Sequence, residues 1–204
     1  MKRQIHIVLA TTLALAVLGM GPSAPEQTTG ASVSAAPQQE ETPAGLSTKD
    51  WASMQELMQA AQYQVTWQVR GGEWAYRAPN RSHGLALAFA VDGFAATRHG
   101  ADGEPLWEFG LALLAYGDEA YASPIARDSL TASGERVEYR WDDRVTEWYE
   151  NNPVGIKHGL TLETPPERGE VTVSFALLGS LTPSLDRSGQ TLSLLDGEGH
   201  AVLQ

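Results

Sequence analysis

The chain has 204 residues, and its 25 acidic residues against 14 Lys and Arg leave a formal net charge of −11 at pH 7. This balance argues against binding to nucleic acid or to anionic membrane surfaces, because their phosphates repel an acidic protein. The sequence contains no cysteine, which excludes disulfides, thiolate catalysis and cysteine-ligated zinc.

The N-terminus has the features of a secretory signal. Lys2 and Arg3 precede an apolar stretch from Ile5 to Leu18, which is too short for a membrane span of roughly 20 residues. We expect residues 1–24 to be a signal peptide, with Val33-Ser34-Ala35 as a second candidate for the cleavage region. The protein is therefore predicted to be secreted or held at the cell surface, with no membrane span after signal removal.

Residues 25–46 are predicted to form a disordered linker. They are mostly Pro, Ala, Ser, Thr, Gln and Glu without an apolar period, so burial cannot offset the entropy lost on ordering. The remaining residues, 47–204, are enough for one domain with its own core.

The domain is predicted to begin with one amphipathic helix. Ser47 or Thr48 can cap it, Asp50 suits its first turn, and apolar residues recur at helical spacing up to Ala61. We expect this apolar stripe to dock on the protein's own sheet, and a partner-binding face is the alternative. The stripe consists of Trp51, Met54, Leu57, Met58 and Ala61.

From Tyr63 onward the apolar period changes from 3.6 to 2, which predicts strands. Gly71-Gly72 and Asp92-Gly93 are predicted to turn two successive hairpins, and Gly110 to bend or bulge a strand within 106–116. Further strands are predicted around 137–141, 146–149, 156–162, 171–178, 191–195 and 201–203.

The predicted fold class is therefore mainly β: an antiparallel β-sandwich with one N-terminal amphipathic helix. We expect four aromatic side chains to be substantially buried, namely Trp67, Trp107, Trp141 and Phe175. The last strand either closes a sheet, or the native chain is truncated here and continues beyond Gln204.

The densest polar segment, 142–152, offers the best candidate site. Glu147, Trp148, Tyr149 and Glu150 combine two carboxylates with aromatic rings, as a sugar-binding or glycosidase-like site requires. In a strand, however, alternation would place Glu147 and Tyr149 on one face and Trp148 and Glu150 on the other. We therefore assign no catalytic residue and keep carbohydrate binding as an alternative.

No metal site or cofactor is predicted. The histidines have no i, i+2 or i, i+4 spacing, and the Asp-Gly pairs at 92–93, 102–103 and 196–197 are predicted to be turns because none continues into a calcium-loop pattern. A hydrolase site that pairs His158 with Asp142 or Glu147 is a third hypothesis. The segment 76–81, where Arg77 and Arg81 bracket Asn80, is predicted to be a turn locked by an arginine–acid pair, with anion binding as the alternative.

Several segments resemble the N-terminal region of large bacterial FG-GAP (integrin-like) repeat proteins. The resemblance covers about residues 47–204 and rests on 67–68, 76–81, 92–94, 107–111, and above all Glu147-Trp148-Tyr149-Glu150-Asn151 followed by 155–161. It implies a β-rich module of a secreted or surface protein, without catalytic residues to carry over. No FG-GAP repeat occurs in these 204 residues, so calcium binding or adhesion by such repeats is not assigned.

Together these features predict a non-enzymatic module with a structural or interaction role at the cell surface. Its partners would be other domains, surface proteins or glycans.

Overall fold

The computed structural model describes residues 3–9, 14–18, 43, 45–117, 123–124, 128–163 and 171–203. Most of the predicted linker, and the predicted cleavage site after Ala24, lie outside these residues. No helix among the described ranges is both long and apolar enough to cross a membrane.

The fold is mainly β, with antiparallel sheets and one helix, as the sequence predicted. The helix α1 spans Thr48–Ala61. The first sheet, sheet A, contains β1 (Arg3–Leu9), β3 (Thr66–Arg70), β4 (Glu73–Asn80), β5 (Leu85–Ala90), β6 (Gly93–His99), β7 (Pro105–Gly117), β8 (Ser123–Pro124) and β13 (Val171–Gly179). Sheet B contains β2 (Ala14–Leu18), β9 (Ser129–Ser133), β10 (Arg136–Arg140), β11 (Val145–Asn152) and β12 (Gly155–Leu162), and sheet C contains β14 (Thr182–Leu185), β15 (Leu192–Leu195) and β16 (Ala201–Leu203).

The strand order shows which strands lie at the sheet edges. Sheet A runs β1-β13-β7-β6-β5-β4-β3, with β8 paired to β7, and sheet B runs β2-β12-β11-β10-β9. Strands β1 and β2 fall within the predicted signal peptide, and they pair with β13 and β12 respectively. The N-terminal segment therefore contributes one edge strand to each large sheet.

The hydrophobic core lies between sheets A and B. Phe89 and Phe94 of sheet A lie 5.4 and 4.7 Å, centroid to centroid, from the ring of Tyr149 in sheet B. The burial of Trp107, Trp141 and Phe175 is confirmed, because their exposed fractions are 6%, 6% and 2%. Alternation along β5 and β11 places every second residue in this core.

The predicted burial of Trp67 is wrong, because half of its surface is exposed (50%). Its register partner is Tyr76, and it stacks on Trp74 with ring centroids 5.7 Å apart. All five residues of β3 are exposed, since β3 is the edge strand of sheet A. Alternation correctly predicted strand β3, but at this edge of sheet A the opposite sheet B does not cover the Trp67 ring.

The docking predicted for α1 is also wrong. Met54, Leu57 and Met58 are 43%, 71% and 50% exposed, and only Trp51 is partly covered within the apolar stripe. The predicted cap is confirmed, because Ser47 Oγ accepts a hydrogen bond from the backbone N–H of Asp50. The residue spacing predicted the apolar stripe of the helix correctly, but it could not show that most of the stripe is exposed.

The predicted hairpins are present. Gly71 and Gly72 turn β3 into β4 with φ angles of 63° and 87°, which suit a tight turn of this hand. The second turn consists of Val91-Asp92, one residue earlier than predicted, because Gly93 already pairs with Ala90. In the strand 106–116, the register shift lies opposite Ser174/Phe175 and not at Gly110.

Candidate functional site

Strand β11 divides the four candidate residues between two faces of sheet B. Glu147 and Tyr149 are buried in the core, whereas Trp148 and Glu150 lie half-buried on the outer face. The two carboxylates therefore point to opposite sides of the sheet. They cannot flank one glycosidic bond, as the acid and base of a glycosidase must.

The carboxylate of Glu147 accepts three hydrogen bonds inside the core. Trp141 Nε1 donates to Oε2 at 2.9 Å, while the hydroxyl of Tyr149 donates to Oε1 at 2.6 Å. His158 Nε2 lies 2.8 Å from the same Oε1, and it donates this bond because a carboxylate oxygen only accepts. Tyr149 and His158 belong to β11 and β12 of sheet B, and Trp141 directly follows β10, so these neighbouring strands position the whole network.

The rings around Glu147 also connect the two sheets. Tyr149 stacks on His158 with centroids 4.5 Å apart and an interplanar angle of 15°. His158 in turn meets the ring of Phe175 in sheet A edge to face at 5.5 Å. Burial, reinforced by the nearby charge of Glu147, raises the pKa of Tyr149 well above its usual value. The phenol is thus a neutral hydrogen-bond donor.

Of the two residue pairs in the hydrolase hypothesis, only His158 with Glu147 is in contact. His158 contacts Glu147, but the side chains are 5% and 2% exposed, so a substrate has no direct access to them. Within the described part of the chain, His158 Nδ1 is buried without a hydrogen-bond partner. Asp142 lies elsewhere: its carboxylate accepts from the backbone N–H groups of Arg144 and Val145 and holds the turn before β11.

The outer face of sheet B carries a second group of side chains around Trp148, which we call the Trp148 cluster. Arg136 lies 4.4 Å from the Trp148 ring centroid and Lys157 lies 5.3 Å from it. Arg136 also forms ion pairs with Glu138 at 2.6 Å and with Glu150 at 2.5 Å.

The Trp148 ring occupies the space above Gly159. A Cβ added to this glycine would lie 2.3 Å from Cζ2 of the ring. Burial acts to lower the pKa of Arg136, but the hydrogen bonds to Glu138 and Glu150 outweigh it and raise this pKa. The cluster is therefore an ordered set of charges around one aromatic ring.

Asn80 and Asn151 join the two sheets at a point that sequence reasoning did not identify. Both are fully buried, and Asn80 Nδ2 donates to Asn151 Oδ1 at 2.8 Å and to the carbonyl of Asn152 at 3.0 Å. Asn151 Nδ2 donates to the carbonyls of Tyr63 and Pro79, each at 2.9 Å. The two amides thus satisfy each other and three backbone carbonyls between the sheets.

The prediction of a turn at 76–81 is wrong for most of the segment, because β4 continues to Asn80 and the turn occupies 81–84. Asn80 Oδ1 accepts from the backbone N–H of His83, as a turn asparagine does. Within the described residues, however, neither Arg77 nor Arg81 forms an ion pair, so the predicted arginine–acid lock is wrong. Arg77 instead lies on the outer face of sheet A, where its Nε is buried and has no hydrogen-bond partner among those residues.

Two of the predicted Asp-Gly turns are held by their aspartates. Asp102 Oδ1 accepts from the N–H of Glu104, and Asp196 Oδ1 accepts from the N–H groups of Glu198 and His200. The bond from His200 is the main cause that lowers the pKa of Asp196. Among the side chains that the structure describes, no group of three or more His, Asp or Glu could hold a metal ion.

Comparison of the chain with protein-family models, with curated proteins and with solved structures found no match. A functional proposal for the chain therefore has to be argued from its sequence and from the geometry of its side chains.

Proposed function

We propose that this chain is an exported, non-enzymatic β-sandwich module with a structural or interaction role at the cell surface. The observation that supports the non-enzymatic part of this proposal is the saturation of Glu147 by Trp141, Tyr149 and His158 inside the core, and the predicted signal peptide is the ground for export. Glu147, one of the two carboxylates that offered acid–base chemistry in the sequence, thus serves to fix the core side of sheet B.

A structural role for Glu147 follows from the cost of burying its charge. A buried carboxylate without partners costs several kcal/mol, whereas one that accepts several hydrogen bonds is tolerated. All three donors lie within hydrogen-bond range, so the network compensates the charge and fixes the rotamers of its members.

Export is tested by expressing the full chain with a C-terminal epitope in bacteria. We expect the protein in the periplasmic or extracellular fraction, with an N-terminus near residue 25 by intact mass. Recovery of the protein only from the cytoplasm, with Met1 or Lys2 at its N-terminus, would refute the proposed export. Replacement of Leu13 and Leu15 by Arg interrupts the apolar stretch and serves as the matched control, because it should block export.

The absence of catalysis is tested separately on the exported protein. We expect the wild type to turn over no glycan or ester substrate, and Glu147→Gln to lower the free energy of unfolding. If the wild type hydrolysed such a substrate and Glu147→Gln lost that activity at unchanged stability, the proposal would fail.

A second candidate, carbohydrate binding, is favoured by the Trp148 cluster, which joins an indole ring to four charged side chains on an open sheet face. It ranks second because Arg136 already lies over the ring, so a sugar would have to displace it. Glycan-array binding that disappears in Trp148→Ala but persists in Trp74→Ala would support it. Equal binding by the two variants would reject it.

A further inference from the structure

The outer face of sheet A carries a groove across strands β4 to β7, which we call the Arg77 groove. In register, Arg77 of β4 lies beside Ala88, Ala95 and Gly110 of the next three strands. No side chain in this row beyond Arg77 is larger than a methyl group, so the floor of the groove is low. It holds two adjoining hollows of about 380 and 280 Å³, and both are lined by Arg77 and by Glu108 of β7.

Arg77 brings an unused hydrogen-bond donor into this groove. Its Nε is buried and has no hydrogen-bond partner among the described residues. Buried donors are rarely left unpaired in native proteins, because each has given up its hydrogen bonds to water. A guanidinium can bind a carboxylate through two parallel hydrogen bonds, so a carboxylate in the groove would supply the missing partner.

The two sides of the larger hollow carry charges of opposite sign. Arg70 of β3 and Arg77 line it on one side, and Glu108 lines it on the other. Within the described part of the chain, these three side chains form no ion pair. The smaller hollow adds the carboxylates of Glu73 and Asp92, which repel a simple anion. A ligand with one negative and one positive end is therefore complementary to the groove.

The width of the groove sets the length of such a ligand. Strands β5 and β6 separate β4 from β7, so the backbones of β4 and β7 lie about 14 Å apart, at about 4.8 Å for each step between strands. The side chains of Arg77 and Glu108 occupy part of this distance. An extended peptide adds about 3.5 Å per residue, so two or three residues fill the space between the two charged groups.

We propose that the Arg77 groove binds a short peptide of two or three small residues with free termini. Its carboxylate lies on the guanidinium of Arg77, its ammonium group lies at Glu108, and its side chains lie over Ala88 and Ala95. The groove is formed by strands β3 to β7 and includes neither β1 nor β2. The proposal therefore does not depend on removal of the signal peptide, and its test is separate from the test of export.

The experiment is a calorimetric titration of the full chain with trialanine. A ligand of this size should bind with a dissociation constant on the order of 0.1–1 mM. Arg77→Met should weaken binding about tenfold or more, because it removes the charged hydrogen bonds to the carboxylate. Arg81→Met is the matched control, since Arg81 is exposed in the next turn and lies outside the groove, and it should leave the affinity unchanged.

Two modified peptides assign the two ends of the ligand. Trialanine amide lacks the carboxylate, so it should bind the wild type more weakly than trialanine but bind Arg77→Met equally to trialanine. N-acetyl-trialanine lacks the ammonium group, and its weaker binding to the wild type should disappear in Glu108→Gln. Unfolding midpoints show that each variant is folded, and Arg77→Met should not be destabilised because it removes an unpaired buried donor.

The modified peptides also test the wild type alone, so the result does not depend on the stability of any variant. The inference is overturned if the full chain binds no trialanine at about 10 mM, well above the expected dissociation constant. It is equally overturned if either modification leaves the wild-type affinity unchanged. Acetate binding as tightly as trialanine would assign Arg77 to simple anions and would also refute the peptide site.

Discussion

Asn80 and Asn151 lie 71 residues apart in sequence, yet their side-chain amides form one 2.8 Å hydrogen bond in the core between the two sheets. Asn80 comes from the end of β4 in sheet A and Asn151 from β11 in sheet B. Their remaining amide groups bind backbone groups of Tyr63, Pro79, His83 and Asn152. This pair therefore fixes how the sheets sit on each other at this end of the domain.

Asn80→Ala should lower the free energy of unfolding by roughly 2–4 kcal/mol, because it leaves Asn151 Oδ1 and a backbone carbonyl buried without a donor. Denaturant unfolding of the exported protein measures this value. Asn152→Ala is the matched control, since among the described residues its side chain accepts from the exposed N–H of Val154 alone, and it should cost less than about 1 kcal/mol. Equal losses in the two variants would show that the buried pair has no special role.

Glu147→Gln should destabilise the protein by on the order of 2–4 kcal/mol. Glutamine offers a single acceptor oxygen to three donors, and its own NH₂ group then faces another donor. Glu150→Gln, on the same strand but the outer face, is the comparison and should cost at most about 1 kcal/mol because exposed ion pairs contribute little. A larger loss for Glu150→Gln would contradict the structural role of the buried network.

Trp107→Ala should cost about 3–5 kcal/mol, as expected for truncation of a buried tryptophan. Trp67→Ala should cost only about 1 kcal/mol, since it removes mainly ring stacking with Trp74 and Tyr76. Thermal or denaturant unfolding of the two variants gives the comparison. If Trp67→Ala were as costly as Trp107→Ala, the edge hairpin would have to be covered in solution.

Gly179→Ala should be far more damaging than Gly189→Ala. Both glycines have positive φ angles, 96° and 71°, but an added Cβ would meet the carbonyl oxygen of Glu108 at 2.2 Å in the first case and nothing within 4 Å in the second. Gly189→Ala should lower the free energy of unfolding by about 1–2 kcal/mol through backbone strain alone. Gly179→Ala should lower it by several kcal/mol more, because of the added clash. Similar unfolding midpoints would mean that β13 and β7 separate readily at this point.

Protonation of Asp142 at low pH should lower the free energy of unfolding. Burial acts to raise its pKa, but bonds from Arg144 and from the Val145 N–H outweigh it and lower the pKa. Because the pKa of Asp142 is lower in the folded state, its ionised carboxylate stabilises the fold at any pH above the unfolded-state pKa. This stabilisation is lost as the pH falls through the folded-state pKa. Asp142→Asn should therefore be destabilising at pH 7 and much less so near pH 2, and Asp143→Asn is the exposed control. A loss that is the same at both pH values would reject the contribution of this charge.

Local patterns in the sequence were sufficient to predict most strands. The alternation of Val137, Tyr139 and Trp141 with charged residues places these three side chains in the core, as predicted. Strands β1, β2, β8, β9 and β14 were not predicted. The first two fall within the predicted signal peptide, β8 has only two residues, β9 lacks a strong apolar alternation, and β14 contains Pro183. Proline is compatible with β14 because that strand is at the edge of sheet C.

Long-range contacts could not be predicted in the same way. Alternation gives the face of Glu147, but not that Trp141, Tyr149 and His158 converge on its carboxylate, since this depends on the registers of β10, β11 and β12. Likewise, no local signal pairs Asn80 with Asn151. The exposure of Trp67 depends on where sheet B ends, which is a property of the assembled sandwich.

The chain between α1 and β3 is tied to both sheets, and this determines how the domain bears mechanical load. Asn151 holds the carbonyl of Tyr63, the N–H of Val65 donates to Gly134, and the hydroxyl of Tyr63 bonds that of Ser82. A pull on the residues before the helix would otherwise peel the edge strand β3 away one hydrogen bond at a time. Here the hydrogen bonds of Tyr63 and Val65 must break before β3 can separate, so we expect β3 to stay paired until all of them fail.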